Sequence, residues 1–180
     1  MISTFGERIS ISEAQLRELV FECLNKAGEL KKVLLLPPDH TRLNSMAGPI
    51  TAMAYEKLTG EGVQVDILPT LGTHNPMSEA QLRMMFGDAV PLDAFKVHDW
   101  RNDVVTVGEV PAEFVSQATE GIYTKAWPAQ MNRLLWEGGH DLILSIGQVV
   151  PHEVIGMANY TKNIFVGTGG EKGINESHFI

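Results

Sequence analysis

The chain has 180 residues, 44% hydrophobic and 20% charged, with 14 basic against 22 acidic residues and a net charge of -8. That size and balance suit one globular domain with a sizeable core. They argue against a general nucleic-acid or anionic-membrane binder, although a local basic pocket is compatible with them. A single cysteine, Cys23, rules out an intrachain disulfide. No apolar run reaches the roughly 18 residues of a membrane span, and MISTFGERIS lacks a basic region followed by an apolar one, so a cytoplasmic protein is expected.

Ser12-Glu13-Ala14-Gln15 reads as a capping box that opens a first helix. Leu16, Leu19, Val20, Cys23, Leu24 and Ala27 follow at helical spacing, with Cys23 expected as a small buried hydrophobe, and Gly28 ends the helix. Val33, Leu34, Leu35 and Leu36 form an unbroken apolar run, as a strand covered on both faces requires, and Pro37-Pro38 ends it. Ala47 to Leu58 reads as a helix, Val63 to Leu68 as a second strand closed by Pro69, and Ser78-Glu79-Ala80-Gln81 as a second capping box. The middle of the chain is less regular. Phe95–His98 and Val104–Val107 read as short strands, forming an antiparallel pair or an insertion, and Ala129 to Trp136 reads as a helix. Leu142 to Ile146 and Asn163 to Val166 read as further strands. Strand, polar loop and helix in repeated succession predict an α/β fold of the Rossmann-like kind. It has a mostly parallel sheet, helices on both faces and a small irregular insertion in the middle.

The polar groups gather at strand ends. Asp39-His40-Thr41-Arg42 follows the first strand, Gly72-Thr73-His74 the second, and Pro151-His152 the strand at Leu142–Ile146. In a parallel sheet such loops converge on one edge, where ligands bind. A lone histidine there is as readily a cap or a loop filler; three at equivalent positions favour a site. His74 and His152 on opposite sides of a substrate would act as acid and base. Arg42 offers a planar fork for a carboxylate, and Asp39 would orient Arg42 or a histidine, or simply pair with Arg42 at a helix start. Gly167-Thr168-Gly169-Gly170 with Lys172 would cradle an anion through backbone N–H groups, although it matches neither a P-loop nor GxGxxG; an ordinary flexible loop fits the same residues. Lys172 would be a cofactor-linking amine or a phosphate contact. His98 and His140 read as structural, His140 at the opposite end of the sheet, and His178 as a metal ligand.

Taken in order, Pro38-Asp39-His40-Thr41-Arg42, Gly72-Thr73-His74-Asn75-Pro76-Met77, Pro151-His152 and Gly169-Gly170-Glu171-Lys172 resemble the signatures of the lactate racemase N-terminal domain family. The resemblance covers nearly the whole chain from Ser10 on. It implies a racemase or epimerase of 2-hydroxy acids, lactate-like or sugar acids, working by hydride transfer to a nickel-pincer nucleotide tethered through a lysine. His74 and His152 would be the acid/base pair and Arg42 the substrate anchor. Asp39, His40, Thr41, Gly72, Thr73, Gly169, Gly170 and Lys172 would contact the cofactor, with Lys172 its tether and His178 bound to the metal. Residues 1–180 would form the N-terminal catalytic and cofactor-binding domain of a longer two-domain protein. Its partners would be the hydroxy acid and its own C-terminal domain, and the isolated domain would be inactive. The sequence departs from the family pattern in two ways: the family's tethering lysine lies closer to the second histidine than Lys172 lies to His152, and the Pro-Gly that usually follows the tether is missing after Lys172. Two other readings compete: a non-catalytic α/β module that binds an acidic metabolite or nucleotide, and a metal-dependent hydrolase with His40, His74 and His152 as ligands.

Overall fold

The computed structural model describes residues 9–152 and 154–179. Helix α1 (Glu13–Asn25) and helix α3 (Glu79–Phe86) both start with complete capping boxes, on Ser12 and Ser78. Strand β1 (Lys32–Leu36) lies between β2 (Gln64–Ile67) and the strand at Leu142–Ser145, and all three run parallel. Helix α2 (Ala47–Gly60) makes the crossover from β1 to β2.

Val33 to Leu36 are fully buried because β1 is covered on both faces. Val33 and Leu35 join Val65 and Ile67 in a cluster with Leu24, Ala54, Leu58, Met85 and Phe86 from α1, α2 and α3. Leu34, Leu36 and Leu68 face the other way, onto Leu134, Leu135 and Ile164. The predicted fold class is therefore the observed one. Among the described residues, no helix is long and apolar enough to cross a membrane.

The insertion is an antiparallel hairpin. Strand β3 (Val104–Val110) is followed by α4 (Ala112–Ala118) and pairs with β4 (Trp127–Asn132). Ala129 to Trp136 is therefore not one helix. Residues up to Asn132 belong to the ladder, and only α5 (Arg133–Glu137) is helical, capped by the Asn132 side chain. Pairing with a distant strand overrides the weak local helical pattern. Phe95–His98 is not a strand either. Phe95 makes a single parallel bridge to Ile67, and its ring rests on Phe86 with centroids 4.9 Å apart. After β5 (Leu142–Ser145) come two two-residue strands, β6 (Pro151–His152) and β7 (Gly156–Met157). Asn163 to Val166 is not a strand but part of a π-helical turn, Asn163–Gly167, directly after α6 (Tyr160–Lys162). Its apolar residues pack against the sheet instead of joining it, an ambiguity that periodicity over four residues cannot resolve. Cys23 is exposed, not buried, because α1 turns a narrower face inward than its stripe suggests.

The last helix, α7 (Glu171–Ser177), is pinned to the hairpin by the Trp127 indole N–H, which donates to Gly173 O at 2.8 Å. His98 fastens the segment before it. Its Nε2–H donates to Gly169 O at 3.0 Å while Nδ1 accepts from Asn132 Nδ2 at 3.1 Å. Burial holds the His98 ring below its ordinary pKa of 6.5, against the opposing pull of the Gly169 carbonyl, Asp103 and Asp99. Below pH 6.5 the unfolded chain thus takes up a proton that the folded chain refuses. Stability should fall with falling pH from there, by at most about 1.4 kcal/mol per unit from this one group. Urea unfolding at pH 7.5 and at pH 5.5, each near a unit from about 6.5, should show that loss, and His98→Gln should remove part of it. Parallel pH profiles for the two proteins would show that the ring is not held neutral.

Candidate functional site

The ladder ends bring the three loops together. Beyond the regular strands, Leu68 N donates to Leu35 O, Thr70 N to Pro37 O, and Ile146 N to Leu36 O, at 2.8 to 3.0 Å. The segments after β1, β2 and β5 therefore emerge side by side at the carboxyl edge. They enclose an open cavity of about 240 Å³. Arg42, His74 and His152 all line it, with Asp39, Thr41, Gly72, Thr73 and His178. The strand order reverses at this point, β2 on one side of β1 and β5 on the other, which is where open α/β sheets bind ligands.

Asp39 is the anchor of the site. It is buried at 3% exposure, caps the 3-10 helix His40–Ser45, and accepts hydrogen bonds from Thr41 N at 3.1 Å and Thr41 Oγ1 at 2.5 Å. Its other oxygen lies 2.6 Å from His74 Nδ1. Burial pushes the carboxyl up, but the bonds from Thr41 and His74, and the charge that the His74 ring carries whenever it is protonated, outweigh it and leave Asp39 below its ordinary value of 3.8. The group is therefore an anion at neutral pH, and Nδ1 of His74 is the nitrogen that carries a proton. That leaves Nε2 of His74, an exposed ring on the cavity, as a proton acceptor. Gly72 adopts φ 56°, the left-handed turn from which His74 projects.

His152 is set the other way. Val154 N and Ile155 N donate to its Nδ1 at 3.2 and 3.4 Å, so here Nδ1 is the accepting nitrogen. His178 resembles His74 in form: Nδ1 donates to Ile174 O at 2.9 Å, which leaves Nε2 with a lone pair. A backbone carbonyl on the far nitrogen is the usual support of a metal-binding imidazole.

Arg42 is exposed on the cavity. Among the described residues its side chain forms no ion pair, so the expected local pairing with Asp39 does not occur. Lys162 also lines the cavity, at the end of α6, and was not singled out from the sequence. Its signal in the sequence is its position, closely following His152 within one short segment. Among the described residues, the charged groups of the lining are Arg42 and Lys162 with Asp39, in a chain of net charge -8. That favours an anionic ligand.

Four expected site residues lie elsewhere. His40 turns away from the cavity, its Nε2 2.9 Å from Gln81 Nε2, and ties the β1 loop to α3. Lys172 is exposed on α7, outside the lining. Gly169 and Gly170 are buried against the hairpin, and a Cβ on Gly170 would lie 2.6 Å from Gln130 Oε1. The N–H groups of Gly169, Glu171 and Gly173 are taken by Val166 O, Trp100 O and Gln130 Oε1. These glycines serve close packing, and the loop leaves few donors for an anion. His140 is structural as expected: its buried side chain, in the turn between α5 and β5, has Nε2 3.1 Å from Asp66 of β2. Because His40 stands outside the cavity that His74 and His152 line, the three histidines of the hydrolase reading do not converge.

Asp39→Asn should invert the His74 tautomer, because the new amide donates where the carboxylate accepted. Nitrogen-15 NMR of the ring would then find the proton on Nε2. An unchanged tautomer would mean that Asp39 does not set it.

The family model described as the lactate racemase N-terminal domain matches residues 10–180. No curated protein matches the chain. A crystal structure of a Thermotoga maritima protein is similar over 93% of this chain, with a TM-score of 0.80 and 27% sequence identity. The chain spans 41% of the length of that protein.

Proposed function

The chain belongs to the lactate racemase N-terminal domain family, and from that premise we propose that it is the site-bearing domain of a racemase or epimerase of 2-hydroxy acids. The observation that carries this reading is the shared cavity of Arg42, His74, His152, Lys162 and His178. It supplies an anchor for a carboxylate, two imidazoles with opposite roles at Nδ1, an amine and a metal-type nitrogen.

Arg42 grips the substrate carboxylate with its two-pronged guanidinium. Nε2 of His74 takes the proton of the 2-hydroxyl, and the buried Asp39 carboxylate stabilises the imidazolium that results. His152, which lines the same cavity, is the second acid/base of this reading and serves the opposite enantiomer. A nickel-pincer nucleotide, when bound, would supply the centre that accepts and returns the hydride of the substrate's α-carbon. The residues present fit such a group. Among the described residues no three ligand side chains gather, which suits a metal that arrives with ligands of its own, and His178 has one acceptor nitrogen to add. The amine suited to a covalent tether is that of Lys162 in place of Lys172, since it lies on the cavity and closely follows His152, as the family's tethering lysine follows its second histidine. A second domain closing over the cavity belongs to the same proposal, and residues 1–180 alone should give no turnover.

The test uses the full-length protein co-expressed with enzymes that make the cofactor. Intact mass and peptide mapping should find the adduct on Lys162, lost in Lys162→Ala and kept in Lys172→Ala; an adduct on Lys172 would reverse the assignment. Chiral chromatography of lactate and other 2-hydroxy acids should show interconversion. His74→Ala should lower kcat by about 10² to 10⁴. Arg42→Ala should weaken substrate binding about tenfold or more, since a charge-assisted bond contributes roughly 1.5–3 kcal/mol. Full activity in either variant would remove that residue from the mechanism.

A further inference from the structure

The backbone before Lys162 is strained, and a set of hydrogen-bonded side chains holds it. Asn159 sits at φ 63°, ψ -154°, a region otherwise reserved for glycine, and Tyr160 follows at φ 48°. Such conformations persist only where the surroundings fix them. Here the Ser145 hydroxyl donates to Asn159 Oδ1 at 2.6 Å, and the buried Asn163 amide donates to the same oxygen at 2.8 Å and to Ser145 Oγ at 3.0 Å. The Asn159 amide donates to Gly147 O at 3.0 Å. The three side chains close a ring that ties the last residue of β5 and the cavity loop at Gly147 to both ends of α6. Lys162 lies between the two asparagines and leads into the π-helical turn, a form frequent at functional sites.

We infer that Ser145, Asn159 and Asn163 are positioning residues for the Lys162 amine. Hydrogen bonds to the end of a rigid strand fix the short helix so that its last side chain enters the cavity. The inference rests on the reading of Lys162 as the functional amine, but its test does not. Brief acylation of the same full-length protein without cofactor, with an amine-reactive anhydride, is followed by peptide mass spectrometry. The ratio of modification at Lys162 to that at the exposed Lys172 gives an internal reference. Asn163→Ala and Asn159→Gly should raise this ratio several-fold, because α6 is released and its lysine reaches solvent. Glycine accepts the Asn159 backbone conformation without strain, so Asn159→Gly keeps the fold and decides the matter if Asn163→Ala unfolds. A purely structural ring would lower the melting temperature and leave the ratio unchanged, which would overturn the inference. Absence of a cofactor adduct on Lys162 in the loaded protein would refute the functional reading alone.

Discussion

Burial of β1 on both faces is the constraint on which the rest of the molecule depends. Four consecutive residues, Val33 to Leu36, have no exposed surface. At roughly 1.5–3 kcal/mol for each buried aliphatic side chain, they make the sheet the least negotiable part of the fold. A strand so placed needs a parallel neighbour on each side and a covering layer above and below. β2 and β5 supply the first, and the two apolar clusters supply the second. Once those pairings are fixed, the segments after the three strands have to leave by the same edge. The cavity follows from the sheet.

Within that edge, the buried Asp39 carboxylate organises the chemistry. Removing a carboxylate from water is costly unless donors meet it. Thr41 and His74 meet it here, and the second of these bonds also fixes which nitrogen of His74 is bare. His152 receives the opposite setting from two backbone N–H groups. Two residues of one type thus acquire complementary roles from what touches their far nitrogens, a distinction that residue identity does not carry.

Much of this was legible in advance. The two Ser-Glu-Ala-Gln boxes marked helix starts because capping is a local interaction between residues three apart. The apolar run before Pro37-Pro38 marked a doubly covered strand, and the polar residues beyond Leu36, Leu68 and Ile146 marked the edge where Arg42, His74 and His152 meet. The hairpin escapes the local pattern because its pairing is long-range: Ala129 to Trp136 reads as one helix until β3 is placed beside Trp127 to Asn132. Lys162 carries no such local mark, whereas the glycines after it have the composition of an anion cradle. In the fold, those glycines allow α7 to approach the hairpin closely.

By itself, then, the sequence determined the sheet, its caps and the edge at which the polar loops emerge, since these depend on short-range sterics, hydrogen bonds and burial pattern. Only the tertiary structure decided which cations reach the cavity, that His40 and Lys172 stand outside it while Lys162 and His178 line it, and how each imidazole is hydrogen-bonded. The physical reason is that these depend on contacts between residues far apart along the chain, whose geometry exists only after the sheet has closed.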